Sequence, residues 1–269
     1  MMDLIRKAQV ALALLVTGCG PRQPSSKGAF ELALSSTARE KGDYHTALKH
    51  AQKAVELNPG GVNAHFAVAG IADDMCFPNA NPGPDMQLCN LAIDEYKWTL
   101  QLDSTQREAL KDLAYLLWQF GREEESQGYY RNALALETDD PEALAAIAVN
   151  GYMRSYRDIA PRNGQAGIDL KTPNEMPWCS EARNANLARL NEVLSNLTKA
   201  QQIKGDESDF AVWLGLTYRV RAAIQCGDSQ AFAADIEAAE KWEKLSAKTR
   251  KLSDNSPHRY PPPPPPPPE

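Results

Sequence analysis

The chain has 269 residues, a formal net charge of −6 and 43% hydrophobic residues. That length allows one large domain or an extended repeat array, and the scatter of Lys and Arg among Asp and Glu excludes the clustered basic stripe of a nucleic-acid footprint. Ala, Leu, Glu, Gln and Lys are common and alternating runs of Val, Ile and Thr are absent, which predicts an all-α fold. No apolar run reaches the roughly 18 residues that a membrane-spanning helix needs.

Arg6 and Lys7 precede an apolar run from Ala8 to Val16, broken only by Gln9. A short basic stretch, a short apolar stretch and small residues before a break form a secretory signal, here residues 1–18. The segment Val16-Thr17-Gly18-Cys19 resembles a bacterial lipobox, with Val16 where that motif prefers Leu. The resemblance implies cleavage before Cys19 and lipidation of its thiol, each buried acyl methylene contributing about 0.8 kcal/mol of membrane affinity. Gly20 stands where an Asp often retains lipoproteins at the inner membrane, so the expected location is the periplasmic side of the outer membrane. The alternatives are an ordinary cleaved signal, giving a secreted or soluble periplasmic protein, and a cytosolic chain with an apolar N-terminal helix. Residues 19–27, which include Pro21-Arg22-Gln23-Pro24-Ser25-Ser26-Lys27, read as a flexible polar tether.

The next feature is periodicity. YHTALKHAQKAVELNPG recurs in altered form as LAIDEYKWTLQLDS and QGYYRNALALETDDP, each an amphipathic helix running into a turn. Residues 28–61 carry Leu34, Ser35, Gly42, Tyr44, Ala47, Leu48, Ala54 and Pro59, and residues 107–140 carry Leu110, Leu113, Ala114, Leu117, Gly121, Tyr130 and Ala133. Small residues at Ala47, Ala54, Ala114 and Ala133 let two helices approach, while Leu34, Leu113 and Tyr130 fill the space between repeats. Gly42 and Gly121 turn the chain between helices. In these positions the sequence resembles the tetratricopeptide repeat, whose unit is about 34 residues. The resemblance implies an α-solenoid of about five antiparallel helix pairs, a superhelix with two loop insertions. Its repeats are expected near 28–61, 62–106, 107–140, 141–206 and 207–252.

The second repeat is expected to have helices near 62–74 and 86–102 around the insertion MCFPNANPGPDMQLC. The fourth has helices near 141–156 and 181–203, with 157–180 as a second insertion. The last pair, near 207–225 and 229–252, places Phe210, Trp213, Thr217, Val220 and Ile224 on one face, then Phe232, Ile236, Ala239, Trp242 and Leu245. That pair is expected to cap the array. The C-terminal half, from ALAAIAVNGYMRSY through VWLGLTYRVRAAIQCGD, also resembles a group of bacterial tetratricopeptide proteins. That likeness implies a fold and no activity.

Beyond Cys19 the cysteines are Cys76, Cys89, Cys179 and Cys226, which export would lead into disulfides. Of the three possible pairings, the repeat picture implies Cys76–Cys89, bracketing the first insertion, and Cys179–Cys226, joining the start of one helix to the end of its successor. Each would stabilise by about 2–4 kcal/mol. Unpaired buried thiols are the alternative. No metal site is expected, because no Cys-x-x-Cys occurs and His45, His50, His65 and His258 stand apart from the cysteines.

In this family the first helix of each repeat lines a concave face, which implies a partner-binding groove of Asn63, Phe66, Lys111, Tyr115, Trp118, Gln119, Val149, Tyr152 and Tyr156. Aromatic anchors with one Lys suit a peptide; packing of Tyr115 and Trp118 against the insertions is the competing reading. The carboxylate clamp of chaperone-binding relatives needs Lys and Asn, and the first repeat offers Leu32 and Ser36 instead. Catalytic signatures are absent: no Gly-rich phosphate loop, Gly-x-Ser-x-Gly or His-Glu-x-x-His occurs. Asp73-Asp74 and Asp139-Asp140 read as helix caps and solvated charge.

The chain ends in PHRYPPPPPPPPE; residues 253–269 read as a disordered tail with a polyproline II rod of about 25 Å, a spacer rather than a docking motif. The expected function is a non-enzymatic scaffold, without cofactor, that binds protein or peptide partners and reaches the membrane through its N-terminal lipid. An accessory or hydrolytic enzyme subunit using the insertions, and a wall-associated structural spacer, are the alternatives.

Overall fold

The computed structural model describes residues 26–76, 84–166, 172–205 and 208–250, and every regular element among them is a helix. The chain divides into two compact units, Met1–Ser104 and Thr105–Glu269. The signal segment, Cys19, most of the tether, the centre of the first insertion and the polyproline tail lie outside the described residues.

The first unit contains α1 (Ser26–Glu40), α2 (Tyr44–Leu57), α3 (Val62–Asp74) and α4 (Pro84–Leu102). Helix α1 therefore starts two residues inside the expected tether. Each odd helix packs chiefly on its successor, α2 also packs on α3, and α1 reaches α3. Ala38, Ala47 and Ala51 meet Val68 and Ile71 in the core. Small side chains bring the helices close enough for the buried Ser35 hydroxyl to donate to the Ala47 carbonyl at 2.8 Å. The α1–α2 turn is a Schellman motif: Gly42 N–H donates to Arg39 O at 2.9 Å and Asp43 N–H to Ala38 O at 3.0 Å, with Gly42 at φ +76°. Asp43 then caps α2, its carboxylate accepting from Thr46 N–H at 3.1 Å. After α3, Cys76 is bonded to Cys89 of α4, with Cα atoms 4.9 Å apart.

The second unit contains α5 (Arg107–Gln119), α6 (Glu123–Leu136), α7 (Pro141–Ala166), α8 (Cys179–Ile203), α9 (Ser208–Ala222) and α10 (Ser229–Arg250). Again the hairpins α5–α6, α7–α8 and α9–α10 make the closest packing, and α7 also reaches α9. The α5–α6 turn repeats the first one: Gly121, at φ +70°, donates to Trp118 O and Arg122 N–H to Leu117 O, both at 2.9 Å. The main core gathers Leu144, Val149 and Tyr152 of α7, Val193 and Leu197 of α8, and Phe210, Trp213 and Leu214 of α9. Gly151 is required where α7 meets α8, because a Cβ there would sit 2.8 Å from Val193 Cγ2.

Helix α7 runs ten residues beyond the expected end at 156, through Pro161, into the stretch read as an insertion. Ile159 is 1% exposed and packs with Ala182, Leu190, Ala223 and Ile224, and that burial outweighs the local turn preference. Cys179, at the start of α8, is bonded to Cys226 just past α9, with Cα atoms 5.5 Å apart. Cys226 has φ 51° and is followed by Gly227 at φ 84°. Arg183 steadies this turn from α8, donating to the Ile224 carbonyl at 3.2 Å and to the Gln225 side chain.

Candidate functional site

Helix α5 buries Leu110, Leu113, Ala114, Leu116 and Leu117. The 3.6-residue period therefore sends Lys111, Tyr115, Trp118 and Gln119 to its less buried faces, and all four are partly exposed. Tyr115 and Trp118 stack, their ring centroids 6.2 Å apart at 20°. Tyr115 also rests against the cluster of Ala114, Tyr130, Ala143, Ala146 and Ile147. Gln119 ends the helix beside them.

Lys111 has a different role from the one expected. Its ammonium lies 3.1 Å from Glu142, 3.3 Å from Glu108 and 3.3 Å from Asp140, with only 13% of the side chain exposed. Burial pulls its pKa down, but the hydrogen bond to Glu142 and the charges of Glu142, Asp140 and Glu108 outweigh this and hold it above the ordinary lysine value. Asp140 also caps α7, accepting from Glu142 N–H at 2.9 Å and Ala143 N–H at 3.0 Å. Lys111 therefore clasps α5 to the start of α7, and its charge is satisfied within the fold.

Tyr152 is a second departure. It is 1% exposed, stacked on Tyr156 at 5.7 Å and set edge-on to Trp213 at 5.2 Å. Burial raises its hydroxyl pKa far above the usual tyrosine range, and Tyr156 adds to the shift. Val149 is 3% exposed. Both belong to the core because α9 packs on this face of α7; Tyr156 stays half-buried at its edge.

In the first unit, Asn63 of α3 is exposed, and Phe66 is half-buried 6.0 Å from Tyr96. Trp98 of α4, which is not among the groove residues that the repeat resemblance implies, is 52% exposed and stacks 6.1 Å from His65. That imidazole is buried, with Nδ1 2.5 Å from Glu95 Oε2 and Nε2 3.0 Å from the Pro59 carbonyl oxygen. A signal existed: Ala92, Ile93, Tyr96 and Thr99 form the buried stripe of α4, which leaves Trp98 on its outer face. The first unit thus presents Asn63 and Trp98, and the second presents Tyr115, Trp118, Gln119 and the edge of Tyr156. Among the described residues, no group of three His, Cys, Asp or Glu could hold a metal ion, and no helix is long and apolar enough to cross a membrane.

No family model matches the sequence, and no curated protein matches it. Solved structures do. MamA residues 41 to the end from Desulfovibrio magneticus RS-1 superposes with a TM-score of 0.58 at 11% identity, covering 87% of this chain and 100% of that one. Another MamA structure gives 0.57 at 15% identity over 85% and 94%. YrrB, described as a TPR protein with an unusual peptide-binding site, gives 0.50 at 14% identity over 82% and 91%. With its consecutive helix hairpins and repeated glycine turns, the chain has the fold of the tetratricopeptide-repeat proteins.

Proposed function

We propose that the protein is a non-enzymatic scaffold that binds peptide or protein partners and is held at the bacterial envelope by a lipid on Cys19. The observation that carries the reading is the stacked Tyr115–Trp118 pair, two flat rings left half-exposed at the end of α5. Aromatic anchors of this kind supply large contact area at small entropic cost. YrrB, of similar fold, is a precedent for a peptide site on such an array. The two disulfides fit an oxidising compartment, and they leave Cys19 as the odd cysteine available for lipid. Outer-membrane placement rests on Gly20 after the lipobox-like segment.

The test is in-cell crosslinking and capture of the full chain from the native envelope, comparing wild type, Trp118→Ala and Cys19→Ala. The scaffold reading expects specific partners with wild type that Trp118→Ala loses. Cys19→Ala should move from the membrane fraction to the soluble one. Partners retained equally by wild type and Trp118→Ala would count against the α5 surface, and unchanged membrane association of Cys19→Ala would refute the anchor.

A further inference from the structure

The second unit holds a cluster of arginines that the aromatic surface does not involve. Arg131 of α6, Arg154 of α7 and Arg189 of α8 line one cleft, with Gln127, Gly151, Val193 and Asn196. Its volume is about 130 Å³, small beside the roughly 300–1,000 Å³ of a typical small-molecule pocket. That suits one side chain rather than a whole small-molecule ligand.

Among the described residues no carboxylate lies within ion-pair distance of these guanidinium groups; Asp158 and Glu192 act on Arg189 from farther off and offset its charge only in part. Every other arginine with a described side chain meets a carboxylate, except Arg183, which holds the Cys226 turn. Among the described residues, none of the three cleft arginines forms an ion pair. Arg131 donates to Gln127 Oε1 at 3.0 Å, and Arg189 donates to Asn186 Oδ1 at 2.7 Å and Ser155 Oγ at 3.3 Å. These neutral partners orient the guanidinium groups without discharging them. Burial, and then the neighbouring charge of Arg154, hold the pKa of Arg189 below the ordinary arginine value, so the cations repel across the cleft. Glu192 is the one carboxylate in the lining, and it leaves a surplus of positive charge. Arg154 and Arg189 repel each other in this partly enclosed cleft, and an anion seated between them would relieve that repulsion.

The lining selects among anions. Ile147, Ala148 and Val193 give it an apolar floor, all under 8% exposed, while Gln127 and Asn196 place amides at the rim. A glutamate side chain has methylenes for the floor and a planar carboxylate for the guanidinium forks, and the rim amides can meet its backbone. A phosphate dianion has nothing for the floor and is repelled more strongly by Glu192. We infer that the α6–α7–α8 cleft is a binding site for an acidic segment of a partner polypeptide, entered one Glu side chain at a time. This site is separate from the α5 surface and does not depend on it.

The experiment is fluorescence anisotropy with a labelled, end-capped hexaglutamate peptide and the full-length oxidised protein. Expected are saturable binding that weakens with salt and a loss of about five- to tenfold in affinity for Arg154→Gln, whose exposed side chain makes refolding defects avoidable. Arg131→Gln should behave alike. Arg157→Gln removes the same charge from the same helix but outside the lining, and should change affinity less than about twofold. Absence of saturable binding would overturn the inference. So would equal losses for Arg154→Gln and Arg157→Gln, or inorganic phosphate displacing the peptide at peptide-like concentrations, which would assign the cleft to isolated oxyanions.

Discussion

Tyr115 and Trp118 on α5, and Tyr152 and Tyr156 on α7, are aromatic pairs at helical spacing, stacked at 6.2 Å and 5.7 Å. Each pair sits on the first helix of its hairpin. The α5 pair is half-exposed, whereas Tyr152 is 1% exposed beneath Trp213 of α9. The pattern on the helix is the same; the depth differs because α9 packs against α7. Periodicity thus tells which face an aromatic occupies, while burial is decided by an element elsewhere in the chain.

The sharpest way to break this contrast is truncation on the buried side. Tyr152→Ala should cost about 3–5 kcal/mol by opening a cavity in the main core, read as a lower urea midpoint of the full chain. A loss below about 1 kcal/mol would mean that α9 does not cover Tyr152 as described.

The disulfides sharpen the comparison from the covering side. Cys179–Cys226 spans 47 residues and ties together the helices that enclose Tyr152, whereas Cys76–Cys89 spans 13. Chain entropy alone predicts a cost of about 4 kcal/mol for Cys179→Ala/Cys226→Ala and about 3 kcal/mol for Cys76→Ala/Cys89→Ala. Thermal unfolding of both variants against wild type tests the order.

On the open side, Lys111 belongs to the same helix as Tyr115 but serves the fold. Lys111→Met should cost about 1.5–3 kcal/mol at neutral pH, because Asp140 and Glu142 lose a charged partner. The pKa of Lys111 is raised on folding from its ordinary 10.5. Its contribution is therefore full below that value and lost as pH rises through the higher folded value. The difference in stability between wild type and Lys111→Met should shrink above about pH 10.5 and be constant between pH 7 and 9. A difference unchanged through the alkaline range would refute the clasp. The smallest effect belongs to Trp118→Ala, about 1 kcal/mol or less, with partner capture lost while the fold stays.

Much of the array was legible because its signals are local. Gly42 and Gly121 mark turns that need positive φ, Asp140 precedes an apolar run as a cap should, and the alanines at 47, 54 and 133 are all buried between helices. The end of α7 was not legible, since Pro161, Asn163 and Gly164 read as turn formers. What holds that segment is distant: Arg157 Nη2 lies 2.6 Å from Glu123, and Asn186 donates to Asp158 at 2.7 Å. The surface residues were harder still. Lys111 looks like a groove cation until Asp140 and Glu142 arrive from the next hairpin, and the cleft arginines sit on three helices with no shared motif.

The Cys179–Cys226 bond also has a mechanical consequence. A chain pulled from its ends transmits force through covalent bonds, so the load reaching Cys179 crosses the sulfur bridge to Cys226 and bypasses α8 and α9. The 47-residue loop would be shielded from tension while the rest of the array extends, shortening the stretched contour by about 160 Å relative to the reduced chain.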